Sequence, residues 1–369
     1  MAAPEARISE VRARAFSVPT EGPEGDGTLT WTATTLVVVQ VTAGGLTGIG
    51  YTYADASAAA VVDGVLADCL DGCDAMDVSA CWLSMRRRLR NVGVAGVAAT
   101  AMSAVDTALW DLKARLLDLP LGVLLGRVRD NVPIYGSGGF TNLSDDDLAR
   151  QLEAWVRRDG CRWVKMKIGA DPGRDPHRMR IARRAIGNAA LFIDANGAFT
   201  PREALHMACA AADLDVRWFE EPVSSDDLAG LCFVRDHAPP MMDIAAGEYG
   251  FDPGYFQKML AAGSVDVLQA DATRCLGITG FLQAATLAEV HHIPLSAHCA
   301  PALHAAIGVS VPNLRHLEWF ADHVRIEAML FDGAPTPHAG AVSPPTGRPG
   351  LGLALKEADA ERFAARVPA

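Results

Sequence analysis

The sequence predicts an α/β fold, a modified (β/α)7β TIM-type barrel with an N-terminal α+β domain and a C-terminal segment that packs back on it. Three observations carry this. From residue 132 onward, short apolar runs alternate with amphipathic stretches, the signature of parallel βα units. The runs number eight, the count that closes a parallel barrel, with a helix or two less distinct than the strands. The two flanks break the pattern, with a hairpin-like start and an end rich in Pro and Gly.

Along the chain, residues 7–18 alternate as a half-buried strand, which the loop "PTEGPEGDGTLT" interrupts. The run "TTLVVVQVT" then turns at "AGG" into "LTGIGYTY", a hairpin. The glycines of "GGLTGIG" loosely match a dinucleotide fingerprint, but they sit inside a hairpin rather than between strand and helix, which argues against a nucleotide cofactor. "AATAMSAVDTALWDLKARLLDLPLGVLLG" has helical spacing and ends at a Pro. Residues 1–125 thus read as the α+β domain, 126–320 as the barrel and 321–369 as the returning segment. The eight barrel strands are "VPIYGSG", "VKMKIG", "LFIDAN", "VRWFEEP", "MDIAAGE", "VDVLQAD", "IPLSAH" and "RHLEWF". After Trp319 the chain is expected to turn irregular, with only a short final helix.

Composition narrows the function. The 369 residues are 50% hydrophobic and 21% charged, enough for a large core, and the net charge is −11. With no basic run, nucleic acid and anionic membranes are poor partners, whereas a small anionic substrate in one locally positive pocket fits. Met1 to Glu10 lacks a basic segment leading into an apolar one, and no run of ~18 apolar residues occurs, so the cytoplasm is the expected place. The eight cysteines have no zinc-like spacing and read as reduced, buried residues.

In a barrel of this kind, polar residues at the C-terminal strand ends converge on one site. Here they are Lys165 and Lys167, Asp194, Glu220 or Glu221, Glu248, Asp271, His298 and Glu318. Each has a plainer reading. Asp194 suits a helix cap, Glu220 and Glu221 a solvated strand end, Glu248 a turn, His298 a satisfied core histidine, and the lysines an edge strand. Those readings fail jointly, because strand after strand would have to deliver an ionisable group to one mouth by accident. Three consecutive strands, ending in Asp194, Glu220 and Glu248, supply only carboxylates, a hard oxygen set suited to Mg²⁺.

That constellation suits removal of a proton next to a carboxylate, which builds an enediolate needing strong cationic stabilisation. Lys165 is placed to hydrogen-bond the substrate carboxylate. Lys167, beside that cation and a metal, is expected to have a lowered pKa and act as base. His298 approaches the other face, with Asp271 fixing its tautomer, and Glu318, if protonated, donates to the carboxylate oxygen that gains charge. Reprotonation on the opposite face gives racemisation, and protonation of a β-hydroxyl gives water loss. Ser137 and Asn196 read equally as substrate contacts or as local backbone caps.

The set "SAVDTALWDLKARL", Lys-x-Lys, "DAN", "FEEP", "GE", "DATRCLGITG", "SAH" and "LEW", in that order along nearly the whole chain, resembles the mandelate racemase branch of the enolase superfamily. The resemblance implies Mg²⁺ held by Asp194, Glu220 and Glu248, Lys167 and His298 as acid/base groups, Asp271 as partner of the histidine, and Glu318 near the substrate carboxylate. It also implies that the first domain caps the barrel through the loop Thr20 to Trp31, with Trp31 at the substrate, and that the chain forms a homo-oligomer between dimer and octamer. The related muconate cycloisomerase and dipeptide epimerase branches carry a second catalytic lysine near the sixth strand. None occurs between Lys258 and Lys356 here, and Arg274 stands where the mandelate racemase pattern often has lysine, a change read as structural. Members that look like this mostly dehydrate sugar acids to 2-keto-3-deoxy acids, so such a dehydratase is the first expectation. A racemase or epimerase of 2-hydroxy acids is the alternative, and a catalytically retired barrel the remote one. The acidic capping loop favours a monoacid over a diacid and would also accept an ammonium.

Overall fold

A computed structural model describes residues 6–367. The chain starts with an antiparallel sheet, β1 (Ile8–Gly25), β2 (Thr30–Ala43) and β3 (Leu46–Tyr53), followed by α1 (Ser57–Val61), α2 (Val78–Arg88), α3 (Val97–Leu116) and α4 (Leu121–Leu124). The segment read as an interrupting loop is instead the far end of the β1–β2 hairpin. Pairing resumes past a bulge, with Glu24 opposite Trp31, and the turn is Asp26–Leu29. The bulge absorbs the mismatched residues, so a Pro- and Gly-rich stretch stays extended. Helix α3 is buried on almost every side, between the sheet and the barrel. The glycines of "GGLTGIG" serve this packing: a Cβ on Gly50 would lie 2.0 Å from the Ala104 carbonyl of α3.

The barrel strands are β4 (Val132–Gly138), β5 (Trp163–Lys167), β6 (Ala190–Asp194), β7 (Val216–Glu220), β8 (Asp243–Ala246), β9 (Val267–Ala270), β10 (Leu295–Ala297) and β11 (Leu314–Phe320). Each pairs in parallel with the next, and β11 pairs with β4 to close the ring. The helices between and after them are α5 (Asp145–Arg157), α6 (Asp175–Ile186), α7 (Pro201–Ala212), α8 (Leu228–His237), α9 (Pro253–Ala261), α10 (Gly277–Val290), α11 (Pro301–Gly308) and α12 (Ala321–Leu330). Helix α12 stands where irregular chain was expected. Its buried face is largely polar, with Asp322, His323 and Glu327 buried beside Ile326 and Leu330, so no apolar stripe announces it. The chain then returns to the first sheet, Ala365 N–H donating to the Ala15 carbonyl at 2.8 Å.

The sheet and barrel are stapled around the strand-end loops. The Tyr51 hydroxyl donates to Glu327 Oε1 of α12 at 2.7 Å and accepts from the Leu303 N–H at the start of α11 at 3.1 Å, while Glu327 Oε2 accepts from Ala302 N–H at 2.8 Å. Thr52 Oγ1 donates to the Thr273 carbonyl at 2.7 Å, just beyond β9. The hairpin tip rests on the barrel mouth, where a Cβ on Gly27 would lie 2.2 Å from the Ala195 carbonyl and 2.6 Å from that of Ile168.

Two outcomes follow. Gly27→Val lifts the tip off the mouth, so hydrogen exchange at residues 22–31 speeds up while the melting temperature moves by only a few degrees; unchanged exchange contradicts the contact. Burial pushes Glu327 from 4.5 up to about 8 against its hydrogen bonds. The unfolded chain therefore releases this proton first, and the stability contributed by the protonated group, complete below about pH 4.5, is lost as pH rises toward 8. Glu327→Gln removes that loss, so the melting-temperature difference between variant and wild type should grow in favour of the variant across this window.

Candidate active site

Alternation along β5 sends Val164 and Met166 into the strand–helix core and turns Lys165 and Lys167 into the barrel. The same parity stacks Phe192 beneath Asp194 on β6 and Trp218 beneath Glu220 on β7. The floor is Tyr135, Phe192 and Trp218, and the Trp218 indole N–H donates to Glu220 Oε2 at 2.9 Å. Charged groups therefore sit on an aromatic floor, largely out of water.

Lys165 is fully buried. Its ammonium pairs with Glu220, with Glu318 Oε1 at 2.7 Å and with Asp194 Oδ2 at 3.3 Å. Lys167 donates to Asp194 Oδ2 at 2.5 Å. Across the mouth, His298 Nδ1 meets Asp271 Oδ2 at 2.8 Å, and His298 Nε2 lies 3.3 Å from Glu248 Oε2. Asp271 Oδ1 is held by the Thr273 N–H and hydroxyl, both at 2.7 Å. Arg274 Nη1 lies 3.2 Å from Glu248 Oε1.

Charge balance sets the protonation. Burial pulls Lys167 down, but the charge on Asp194 outweighs it and the net direction is upward, as it is for Lys165 among Glu220, Glu318 and Asp194. The charge of Lys165 does lower Lys167, as expected, but the surrounding carboxylates outweigh it, so the expected net lowering is not found. Glu318 is corrected likewise. Burial raises it, yet Lys165 and His298 hold it well below the usual carboxylate range, so it is ionised rather than a proton donor. Burial and the charge of Asp194 push Glu220 up to about 8, the cost of crowding carboxylates in a dry site.

Above these groups opens a cavity of about 200 Å³, lined by Lys167, Asn196, Glu248, Arg274, His298, Cys299 and Glu318, with Trp31, Thr34 and Asp26 from the hairpin forming its outer wall. Trp31 packs edge-on against Phe140, 5.7 Å between centroids, and its indole N–H donates to Glu24 Oε2 at 3.0 Å. Asn196 reaches the cavity with its Oδ1 unpartnered. Ser137 does not: it is fully buried and donates to Glu318 Oε1 at 2.5 Å, so the substrate contact expected of it is corrected to a support for Glu318. Lys165 and Asp271 also lie behind the lining. Arg274, read from sequence as structural, faces the cavity. Cys299 was legible only as one cysteine among eight; its place directly after His298 was the signal available.

Residues 147–359 match the family model described as enolase C-terminal domain-like, and residues 9–126 match that of the mandelate racemase / muconate lactonizing enzyme N-terminal domain. The chain belongs to this mandelate racemase / muconate lactonizing enzyme family. It is similar to a mandelate racemase/muconate lactonizing enzyme-like protein from Rubrobacter xylanophilus, with 48% identity and a TM-score of 0.95 over 97% of this chain and 100% of that one. It is 36% identical to the 3,6-anhydro-alpha-L-galactonate cycloisomerase of Streptomyces coelicolor over 84% of this chain and 86% of the relative. It also resembles the L-talarate/galactarate dehydratase of Salmonella typhimurium LT2, solved with Mg and L-lyxarohydroxamate, at 27% identity and a TM-score of 0.90 over 98% of this chain and 94% of that one. Further relatives are named as dehydratases of arabinonate, L-rhamnonate and D-gluconate.

This family member is an enzyme, and its cofactor is Mg²⁺. The residues present fit that ion. Asp194, Glu220 and Glu248 are buried and each offers a carboxylate oxygen within 4.8 Å of the others, while Glu248 Oε2 has no hydrogen-bond partner. Such an all-oxygen set suits a hard cation, whose charge relieves the crowding that raises Glu220. Among the described residues no helix is long and apolar enough to cross a membrane.

Mg²⁺ at a hundred times its Kd should therefore stabilise the protein by about 2.7 kcal/mol, read as a rise in melting temperature. In Asp194→Asn the rise should shrink by more than half; an undiminished rise would place the ion elsewhere.

Proposed function

We propose that this enzyme abstracts the proton α to a substrate carboxylate and expels the β-hydroxyl, dehydrating a sugar acid to a 2-keto-3-deoxy acid. The carrying observation is that Lys167 and His298 enter one cavity from the ends of β5 and β10, five places apart around the ring, with the strands of the carboxylate trio, β6 to β8, between them. Asp194, Glu220 and Glu248 would hold Mg²⁺, which supplies the positive charge that stabilises a doubly charged enediolate and draws the charge of Asp194 away from Lys167.

The protein's own groups do the proton work. Lys167 or His298, according to the configuration of the α-carbon, takes the α-proton. Imidazolium at His298 gives its Nε2 proton to the departing β-hydroxyl, which leaves as water. The resulting enol takes a proton at the β-carbon and becomes the keto acid, so the net change is loss of one water. Asp271 positions His298 by holding Nδ1–H, which leaves Nε2 to exchange protons in the cavity. Lys165 and Ser137 position the carboxylates from beneath. Trp31, Asn196 and Arg274 contact the substrate. The relatives named as sugar-acid dehydratases support this reading. We assign the domains as above, a capping domain at 1–125, a barrel at 126–320 and a returning segment at 321–369, in a homo-oligomer.

The test is a screen of sugar acids and 2-hydroxy acids with Mg²⁺ in deuterated water, reading keto product and α-deuterium together. Keto product is expected from one acid, and His298→Asn should cut its rate by on the order of 10²- to 10⁴-fold. Deuterium incorporation or inversion without keto product would make the enzyme a racemase or epimerase. Isomerisation without loss of water from the substrate would make it a cycloisomerase.

A further inference from the structure

The cavity holds a second convergence of ligating atoms, separate from the carboxylate trio. His298 Nε2, Cys299 Sγ and Glu318 Oε2 are mutually close: nitrogen to sulfur 3.3 Å, sulfur to carboxylate oxygen 3.3 Å, nitrogen to oxygen 3.7 Å. All three residues are at least nine-tenths buried. A tetrahedral zinc ion with Zn–S near 2.3 Å and Zn–N or Zn–O near 2.0 to 2.2 Å separates its ligands by about 3.3 to 3.6 Å. The observed triangle matches to within a few tenths of an ångström.

The surroundings preset each donor. His298 Nδ1 is taken by Asp271, which leaves Nε2 to face the cavity. Glu318 Oε1 is taken by Lys165 and Ser137, which leaves Oε2 turned toward Cys299. Glu248 belongs to the Mg²⁺ trio, so the three donors leave the fourth tetrahedral position to solvent in the cavity. Nitrogen, sulfur and oxygen together favour a soft or borderline ion over Mg²⁺, which prefers oxygen alone.

We propose that His298, Cys299 and Glu318 form a second metal site, for a thiophilic divalent cation such as Zn²⁺, that competes with substrate for the cavity. Binding forms the metal–sulfur bond and releases the thiol proton to solvent, together with the imidazolium proton wherever His298 carries one. With Nε2 engaged, His298 can neither take nor give a proton. Only this inhibitory consequence rests on the proposed function; binding itself does not.

The experiment titrates Mg²⁺-saturated protein with Cd²⁺, following the ultraviolet thiolate-to-cadmium charge-transfer band, and then with Zn²⁺ by calorimetry. Cys209 is exposed and Cys69, Cys73 and Cys232 are partly so, so the reading is the difference between wild type and Cys299→Ser. Wild type should show one extra equivalent of the band, which Cys299→Ser lacks, and Zn²⁺ affinity should fall at least about tenfold in both Cys299→Ser and His298→Asn. Circular dichroism checks folding, with Cys299→Ala as the replacement should the serine variant fail. An identical band in wild type and variant, or Zn²⁺ binding indifferent to both substitutions, overturns the site. If a substrate is found, Zn²⁺ should inhibit wild type competitively and the Cys299 variant at least about tenfold less. Absence of turnover with every acid would count against the proposed function while leaving the cadmium reading intact.

Discussion

Everything at the barrel mouth answers to one constraint, the cost of burying many carboxylates together. Asp194, Glu220, Glu221, Glu248, Asp271 and Glu318 are all buried there, with Lys165, Lys167 and Arg274 as the permanent cations beside them. Removing either lysine would strand several charges in a dry medium, which is far costlier than losing an exposed ion pair. The like charges on β5 are thus paired with acids before they recognise anything else. A divalent cation completes a balance that the side chains alone leave negative.

The N-terminal sheet matters because the loops carrying these groups are irregular and would otherwise be free to move. Thr52 holds the loop after β9, near Asp271 and Arg274. Tyr51 holds the start of α11, just beyond His298 and Cys299, and the first turn of that helix is in turn tied to Glu327 on α12. Each of these bonds runs from a regular element to a loop or a helix start, so the rigidity of the sheet is lent to the acid/base groups. The hairpin tip supplies the remaining wall, resting on the carbonyls that follow β5 and β6.

The two sides of the cavity differ in chemical character. On one side Lys167 and the carboxylate trio present hard, oxygen-rich surroundings. On the other, His298 and Cys299 present softer donors beside Glu318. Glu248 lies between, within reach of both, so occupation of either side alters the field felt by the other. One site can therefore distinguish ions by donor type alone.

Strand parity and strand order are local properties, and they were enough to determine the barrel, the inward turn of Lys165 and Lys167, and the convergence of Asp194, a glutamate at 220 or 221, Glu248, Asp271, His298 and Glu318, because a period of two and a closed ring bring the strand ends to one mouth. Helix α12 escaped because its buried face is polar, and the hairpin extension because Pro and Gly imitate a loop. Tertiary structure alone decided which groups are charged, since protonation depends on distances between strands remote in sequence: Asp194 holds the proton on Lys167, and Lys165 keeps it off Glu318. It alone also decided that Ser137 lies beneath the cavity while Arg274 and Cys299 line it. Side-chain direction in the loops past the strand ends follows from packing against the sheet, and no periodicity in the chain encodes that packing.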